Sequence, residues 1–368
     1  MVGRCGGWSA SEDGPGQYDY FEIFYAPSGD DFYFTGRQEG VYGLWRASVL
    51  SPETTLTLVA TAPPAAIRHP TISGDGKRLA YSALTMRNDI RSVRLDPVSA
   101  GAVDEPTPLT ADTGERHSYP VFSPDGQQIA FRYMLQGAHS GIWLMSADGE
   151  NSEPLTSGGS YWNPHWLPGG DRIAFSGARR DIFVLTLATS RIEPLHPSGS
   201  DWDSWTLSPD GGTLAFHAER DGRTNIWSVP VGGDRERQVT FDPDGASFPS
   251  WSPDGSYLAF EIQDGGDHHI AIVPFDGGEA IQLTREPGQS WPGVDSWSPD
   301  GDKIAFAGER DGVWNVWWVS RSDQTQTQLT DYTTYHHFVR YAAWSPTGDQ
   351  IVYEYSEVTG DIWLVDLP

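Results

Sequence analysis

A four-residue turn followed by a short apolar strand recurs eight times in this sequence, and this repetition constrains the fold more than any other feature. The clearest copies read Ser-Pro-Asp-Gly, two variable residues and then Ile/Leu-Ala-Phe, as in Ser252–Phe260 and Ser298–Phe306. The eight turns begin at positions 26, 73, 123, 167, 208, 252, 298 and 345, with a mean spacing of about 46 residues. Spacing in this range is typical of propeller blades.

The turn residues explain why each copy closes a hairpin. Proline fixes φ at the second position and glycine accepts a left-handed conformation at the fourth, which suits a type I turn between two strands. A polar turn such as Arg310–Gly312, a second strand with Ile/Val-Trp and a short last strand complete each copy. No stretch shows a helical period. The sequence therefore predicts an all-β chain with four strands per repeat, lettered A to D, with A ending at the Ser-Pro-Asp-Gly turn.

Four-stranded sheets at this spacing predict a single β-propeller, because radial repetition protects the sheet edges. We expect eight blades over residues 18–368, with a seven-bladed ring and a displaced first repeat as the alternative. The last repeat ends at Pro368 after its third strand. Residues 1–17 are predicted as an N-terminal segment that could supply the closing strand.

Composition excludes several classes of function. The net charge of −26 repels phosphate backbones, so we expect no nucleic-acid partner. Cys5 is the only cysteine, which rules out an internal disulfide and a cysteine metal cluster. No apolar run reaches the roughly 18 residues of a transmembrane segment, and Met1–Gly16 lacks the apolar core of a signal peptide. We expect either a cytoplasmic protein or an exported one whose signal is not in this chain.

Trp251–Phe260 and Trp297–Phe306 carry a family resemblance. Their aromatic-Ser-Pro-Asp-Gly-x-x-Ile/Leu-Ala-Phe pattern resembles the TolB-like, WD-related repeat, and copies of it cover nearly all of residues 20–368. That family includes Tol–Pal scaffold proteins, propeller halves of prolyl-oligopeptidase-type peptidases and oligogalacturonate lyases. The resemblance implies a periplasmic or extracellular protein with a ligand or partner at the channel mouth. A serine peptidase is excluded for this chain alone, because it has no Gly-x-Ser-x-Gly motif.

The histidines are distributed unevenly in the predicted blades. Strand alternation places A–B and C–D turns on one face and D–A and B–C connections on the other, where the channel opens. All ten histidines fall on or just inside the second face, and titratable groups clustered in a concavity mark a candidate site. The preference of tight turns for Gly, Asp and Pro explains part of this bias. The predicted ligand-binding residues are Arg68, His69, His117, Tyr119, Trp162, Asn163, His165, Trp202, Asp203, Asp295, His336, His337, Arg340 and Tyr341.

The chemistry of this set favours an anionic or sugar-like ligand, because arginine pairs with carboxylates and aromatic rings stack on sugar faces. Trp205 is predicted to pack between blades, whereas packing and binding are equally open for Trp162 and Trp202. Asp242–Gly245 is predicted to be an ordinary turn, since it lacks a twelve-residue Ca²⁺ loop.

A divalent metal (Mn, Zn or Ca) is a further hypothesis. Neutral imidazoles are metal ligands, and the lyase branch of the family implies a histidine-rich metal site at the channel mouth. No contiguous metal-binding motif occurs in this sequence. The candidate ligands are His69, His117, His165 and His337.

Three functions follow from these expectations. The first is a non-catalytic, exported binding or scaffold propeller that engages a protein partner or an anionic ligand, as a monomer or within a larger assembly. The second is a polysaccharide lyase or hydrolase acting on acidic sugars, with or without a metal, in which a His or Tyr would abstract a proton next to a carboxylate. The third is an accessory subunit of a membrane-associated complex.

Overall fold

The structure, a computed structural model, describes residues 23–38, 41–52, 54–61, 66–110, 116–134, 140–157, 159–177, 181–196 and 202–367. Within these ranges the backbone alone is described at positions 37, 38, 41, 42, 66, 86, 202 and 203. The named elements of the described ranges are 29 β-strands, which confirms the all-β prediction. No helix in this part of the chain is long and apolar enough to cross a membrane.

The chain divides into two compact units. The first contains the described residues up to Leu84 and those from Gly360 onward. It holds a four-stranded sheet in the order β1-β2-β3-β4 and a second sheet in which β5 pairs with the beginning of β6. The end of β29 adds to this second sheet, where the Leu367 N–H donates to the Lys77 carbonyl at 2.7 Å. The strands of this unit are β1 Ile23–Tyr25, β2 Asp31–Gln38, β3 Val41–Ser48, β4 Thr57–Ala60, β5 Ala66–Ile72, the start of β6 Arg78–Arg94 and the end of β29 Gln350–Asp366.

The second unit, Thr85–Thr359, contains six four-stranded sheets in sequence. Consecutive sheets pack on one another and β28 contacts β8, so the six sheets close a ring. The strands of the first three sheets are β8 Arg116–Phe122, β9 Gln128–Met134, β10 Ser140–Ser146, β11 Glu153–Pro154, β12 Trp162–Trp166, β13 Arg172–Ser176, β14 Ile182–Thr186, β15 Arg191–His196, β16 Trp202–Leu207, β17 Thr213–Arg220, β18 Arg223–Pro230 and β19 Arg237–Gln238. The next two sheets comprise β20 Ala246–Trp251, β21 Tyr257–Asp264, β22 Asp267–Pro274, β23 Ile281–Gln282, β24 Gln289–Trp297, β25 Lys303–Arg310, β26 Val313–Ser320 and β27 Gln326–Gln328.

The sixth sheet of this unit combines distant parts of the chain. Strand β28 (His337–Trp344) pairs with the beginning of β29, which pairs with the end of β6, and β6 pairs with β7 (Thr107–Pro108). The Leu95 N–H donates to the Asp349 carbonyl at 2.8 Å at the end of this pairing. The eighth repeat therefore takes its third and fourth strands from the second repeat. Closure by residues 1–17 lies outside the described residues and stays a prediction.

The prediction of a B–C hairpin is wrong for the second and eighth repeats. Strands β6 and β29 are each continuous over 17 residues and include the position at which the other repeats turn. The second repeat has Thr85-Met86-Arg87 at this position, and the eighth has Val358-Thr359-Gly360, whose β-branched residues favour an extended chain. The count of eight blades, like the alternative of seven, is not confirmed, because six sheets form the ring of the second unit.

The Ser-Pro-Asp-Gly turns have the predicted chemistry. In the turn at Ser298, the Gly301 N–H donates to the Ser298 carbonyl at 2.9 Å, and Gly301 has φ of 71°. The serine hydroxyl also donates to Asp300 at 2.5 Å and accepts the Lys303 N–H at 2.8 Å. Equivalent bonds lower the pKa of Asp254 to about 2. The turn thus holds the start of strand B through its side chains as well as its backbone.

The apolar triplet of strand B forms the core between sheets. The five phenylalanines that end this triplet in the third to seventh repeats are fully buried. Trp205 is 2% exposed, packs with Leu214 and Phe216, and donates its indole N–H to Ser176 of the preceding sheet at 2.7 Å. The prediction that Trp205 packs between blades is confirmed.

Candidate functional site

Every A strand from β5 onward carries a β-bulge near its beginning. In β8, Ser118 pairs with Arg132 and Val121 pairs with Ala130, so Tyr119 and Pro120 together face a single residue. The same irregularity occurs in β5, β12, β16, β20, β24 and β28. A bulge tolerates proline within a strand and redirects the neighbouring side chains. The bulged residues with positive φ are His69, Tyr119, Asn163, Phe248 and Tyr341.

These bulges correct part of the predicted site. His69, His117 and Tyr119 were expected in D–A loops, as were Trp162, Asn163, His337, Arg340 and Tyr341. The structure places all of them inside A strands. The proline next to His69, Tyr119 and Asn163 occupies the bulge, and the strand continues through it. Four of the five residues with positive φ at the bulges were nonetheless on the predicted list.

Strand β24 has a larger bulge than the others. Pro292 pairs with Phe306 and Trp297 pairs with Ile304, so four residues, Gly293 to Ser296, face one. Val294 packs in a cluster with Val121 and Ile173, which belong to the first two sheets of the second unit. Its carbonyl accepts the Ser250 hydroxyl at 2.7 Å. This segment therefore reaches across the inside of the ring.

Asp295 lies on that segment. Protein atoms surround its carboxyl group, and this burial raises the pKa of Asp295 to about 6, although part of the residue stays accessible. A carboxyl group that titrates near neutral pH is able to take up or release a proton under ordinary conditions. Asp295 was a predicted site residue, and the structure gives it this property.

The buried histidines bond to the main chain of neighbouring sheets. His165 donates through Nε2 to the Trp205 carbonyl at 3.1 Å, and burial lowers the pKa of His165 to about 4. His337 donates through Nε2 to the Trp314 carbonyl at 3.1 Å, and its Nδ1 lies 3.0 Å from the Thr334 hydroxyl. His117 donates through Nδ1 to the Asn88 carbonyl at 3.2 Å. These imidazoles link one sheet to the next, which accounts for much of their clustering.

The same bonds bear on the metal hypothesis. His337 has both ring nitrogens engaged, and His117 and His165 each use one on a carbonyl. The described residues contain no group of three His, Asp, Glu or Cys side chains with metal-binding geometry. These residues therefore do not fit a metal as they are arranged, and a bound metal stays an untested prediction.

The remaining predicted residues are dispersed. Arg68 and His69 belong to the first unit, where His69 is exposed on β5. Asn163 donates to the Trp205 carbonyl at 3.1 Å, beside the bond from His165. Trp162 is half-buried in β12 and His336 is exposed just before β28. Trp202 and Asp203 begin β16, but their side chains lie outside the described residues.

A half-buried aromatic surface lies beside Arg340. The rings of Trp291 and Trp314 are 4.4 Å apart at 43°, and the Arg340 guanidinium lies 5.8 Å from Trp291 and 4.5 Å from the Phe338 ring. His268 meets Trp291 edge to face at 6.4 Å. We call Trp291, Trp314 and Phe338 the aromatic platform. Arg340 was a predicted site residue, whereas Trp314 and Phe338 were not.

His268 adds a second cationic group beside the platform. Its Nδ1 hydrogen-bonds to Glu261, which is 2% exposed, and this bond raises the pKa of His268. The imidazolium form is thus favoured at a higher pH than for a free histidine. Because the Glu261 carboxylate balances the charge of the His268 imidazolium, the net positive charge beside the platform comes from Arg340, in a chain whose net charge is −26.

Two predicted tyrosines meet at the junction of the first and sixth sheets of the second unit. The rings of Tyr119 and Tyr341 stack with centroids 3.9 Å apart, and the Tyr341 hydroxyl donates to the Tyr119 hydroxyl at 2.9 Å. Arg116 is close by and donates through Nη2 to Glu354 at 3.1 Å. Arg132 influences the same groups and is largely buried. The prediction missed Arg116, Arg132 and Glu354.

A signal for two of these residues exists in the repeat. Arg132 and Glu354 each directly follow the apolar triplet of strand B, as do His217 and Glu261. This position pairs with the residue just before the bulge in the sheets of Arg132, Glu261 and Glu354. It is buried at Glu261 and Glu354 and half-buried at Arg132. Aligning the eight copies therefore shows a column that holds charged residues in some repeats and Ser82, Ser176 or Ala307 in others.

These observations define an all-β repeat protein of the propeller class with cationic and aromatic groups at its bulges. The TolB beta propeller domain family matches residues 159–284 and 243–362, more than half of the chain. The chain belongs to this TolB-like β-propeller family.

Individual relatives agree with this assignment. An uncharacterized protein of Agrobacterium fabrum is 30% identical over 153 residues, covering 39% of this chain and 52% of the relative. The Tol-Pal system protein TolB of Anaeromyxobacter dehalogenans is 28% identical over 118 residues, covering 30% of this chain and 27% of that protein. The chain therefore matches about half or less of the length of these relatives.

Solved structures show the same fold. TolB from Acinetobacter baumannii superposes with a TM-score of 0.55 at 18% identity, covering 88% of this chain and 82% of that one. A TolB-type protein from Agrobacterium tumefaciens gives a TM-score of 0.55 at 21% identity, covering 75% and 99%. At these identities the likeness concerns the fold.

Proposed function

We propose that this chain is a non-catalytic binding propeller that captures a protein partner on the aromatic platform of its second unit. The observation that carries this proposal is the platform itself, in which Trp291, Trp314 and Phe338 stay half-buried next to Arg340. Tryptophan and arginine in partly buried positions are the residues that dominate binding energy at protein interfaces. The export of the protein and its role as a scaffold or as a subunit of a membrane-associated complex belong to this proposal.

Charge supports a selective partner. Arg340 attracts acidic segments to this surface, while the rest of this strongly acidic chain repels them. An acidic partner would therefore be directed to the platform. Binding of such a partner should weaken as ionic strength rises, since rim charges are screened.

The test compares two surfaces of the second unit. Wild-type protein and the variants Arg340→Glu and Trp291→Ala are used to capture partners from an envelope extract of the source cells. Arg172→Glu is the matched control, because Arg172 follows the turn at the other end of its sheet and its side chain is 47% exposed. We expect both platform variants to lose partner recovery by about tenfold or more and the control to keep it. Equal recovery with all four proteins refutes the proposal.

A lyase or hydrolase of acidic sugars is the second candidate, and Asp295 is the observation in its favour. A carboxyl group with a pKa of about 6 that remains partly accessible is suited to proton transfer at neutral pH. The test is an absorbance assay for unsaturated uronides, together with metal analysis of the protein. Product that forms with the wild type and is lost with Asp295→Asn supports this candidate, and absence of product across uronic substrates refutes the lyase.

A further inference from the structure

A cluster of donors surrounds the Tyr119–Tyr341 pair in the second unit. The Tyr341 hydroxyl uses its proton on the Tyr119 oxygen at 2.9 Å, so the Tyr119 proton is free to point elsewhere. Burial raises the pKa of Tyr341 well above its ordinary value, and this phenol therefore stays protonated. The pair presents one hydroxyl donor from Tyr119.

Two arginines share this cluster and one carboxylate neutralises one of them. Arg116 donates through Nε and Nη2 to Glu354 Oε1 at 3.3 and 3.1 Å, and Asn88 donates to the same oxygen at 2.9 Å. Glu354 is fully buried and the Arg116 side chain is 19% exposed. Arg132 interacts with both groups and has no carboxylate within ion-pair distance among the described residues. Two guanidinium groups and one carboxylate leave a single positive charge.

That positive charge costs free energy in its present surroundings. Burial lowers the pKa of Arg132, and repulsion from Arg116 lowers it further. The Nε atom of Arg132 is buried without a hydrogen-bond partner among the described residues, and so is the hydroxyl of Ser118, the strand partner of Arg132. A native protein rarely leaves such groups unsatisfied, because a buried donor without an acceptor loses its hydrogen bonds to water and gains none in return. The cluster therefore lacks acceptors.

The missing acceptors match one chemical group. One carboxylate carries a single negative charge and several lone pairs, which suits one unbalanced guanidinium and two hydroxyl donors. A phosphate dianion would leave excess negative charge next to Glu354. The Glu354 Oε2 atom is also buried without a partner, so it can accept a hydrogen bond from an N–H or O–H next to the ligand's carboxylate.

We propose that Arg132, Tyr119 and Ser118 form a subsite for one carboxylate group, with Arg116 and Glu354 holding the neighbouring charge in place. This proposal rests on the proposed binding function and adds the ligand class. The charge of Arg340, which lies beside the aromatic platform, acts on Tyr341, so Arg340 and the subsite are close to each other. The carboxylate comes either from an acidic side chain of a partner peptide or from a uronic acid.

The first test uses the wild-type protein and pairs of probes that differ in charge. Isothermal titration calorimetry compares the blocked peptide Ac-Gly-Glu-Gly-NH₂ with its glutamine counterpart, and D-galacturonate with D-galactose. We expect the carboxylate member of at least one pair to bind about tenfold or more tightly than its neutral partner. The pair that shows the difference identifies the source of the carboxylate. Equal or undetectable binding of all four probes at the highest soluble concentration overturns the proposal.

The second test locates the subsite. Arg132→Met removes the charge and keeps the apolar stem, Tyr119→Phe removes one hydroxyl, and Arg172→Met is the matched control at the other end of a sheet. We expect a loss of affinity for the bound carboxylate probe of about tenfold or more with Arg132→Met, about threefold to tenfold with Tyr119→Phe, and none with the control. Unchanged affinity in Tyr119→Phe overturns the proposal even where Arg132→Met fails to fold.

The two proposals fail in different ways. Arg340→Glu could lose partner capture while Arg132→Met keeps both partner capture and carboxylate affinity. This result supports the platform and overturns the subsite. Alternatively, carboxylate binding could depend on Arg132 while partner recovery is unchanged in Trp291→Ala and Arg340→Glu. This result supports the subsite and refutes the protein-capture function.

Discussion

Replacing Asp295 with asparagine should stabilise the protein at neutral pH and leave it unchanged in acid. Asp295 lies on the four-residue bulge of β24, and burial raises the pKa of its carboxyl group to about 6 from an ordinary value of 3.8. The folded protein therefore prefers the protonated carboxyl, while the unfolded chain ionises it readily. Asparagine has nearly the same shape and carries no charge, so the variant avoids the cost of an ionised carboxylate in this position.

The magnitude follows from the two pKa values. A difference of about two pH units corresponds to about 3 kcal/mol at 1.4 kcal/mol per unit. Because the pKa of Asp295 is raised in the folded protein, the contribution of Asp295 to the free energy of unfolding falls as the pH rises from about 3.8 to about 6. Above that range this contribution is constant. At pH 7.5 we expect Asp295→Asn to be more stable than the wild type by up to about 3 kcal/mol. Below pH 3.5 the two should agree, since the carboxyl is protonated in both states.

The assay is urea unfolding of the wild type, Asp295→Asn and the control Asp276→Asn at several pH values. Asp276 is exposed, so its replacement should change stability little at any pH. NMR titration of the Asp295 carboxyl carbon in the folded protein gives its pKa directly. A stability difference between wild type and Asp295→Asn that is independent of pH, or a measured pKa near 4, refutes the reasoning.

Three further changes test other parts of the fold. Burial lowers the pKa of His165 to about 4 from 6.5. As the pH falls from 7 to 4, the free energy of unfolding of the wild type should therefore drop by about 3 kcal/mol relative to that of His165→Gln, measured by urea unfolding. Glu354→Gln should cost about 3 kcal/mol at neutral pH because it leaves the buried Arg116 unpaired, whereas Glu193→Gln in the exposed pair with Arg191 should have no measurable effect in the same assay. Gly293→Ala should lower the melting temperature, since a Cβ there would lie 2.1 Å from the Ala342 carbonyl oxygen, whereas Gly74→Ala, with no atom within 4 Å, should not.

The local chemistry of the repeat was predictable because each copy carries its own turn. Ser298, Asp300 and Gly301 form the expected turn through contacts among neighbours in the sequence. The apolar triplet of strand B was likewise predicted to be a short strand, and Phe306 in it is fully buried. These features depend on a few adjacent residues, so the sequence alone was sufficient to predict them.

The exchange of strands between the second and eighth repeats was not predictable in the same way. It depends on pairing between residues about 270 positions apart, such as Asn88 with Glu354, which no local pattern reveals. The local signal was weak: the absence of Asp-Gly does not distinguish these two repeats, since the first, third and fourth repeats also lack it and still pair their B and C strands. The partner of the continuing strand is decided by the ring as a whole.

The candidate site was only partly predictable for a related reason. Tyr119, Arg340 and Tyr341 were found because residues near the D–A connections were expected to face the channel. Arg132 and Glu354 were missed because they lie in strand B, whereas the prediction considered residues near the D–A connections. The bulge changes which residues face each other, so buried charges meet across the sheet.

This arrangement suggests why binding groups concentrate at one level of the repeat. The turn and the apolar triplet must be kept in every copy, since they hold strands A and B together and fill the space between sheets. The residue after the triplet has neither of these roles, because it pairs with the residue of strand A just before the bulge. It can therefore be Ser82 in one repeat, Glu261 in another and Arg132 in a third without loss of the framework. Substitutions at this column should consequently alter ligand preference more than they alter the fold, except where Glu354 neutralises Arg116.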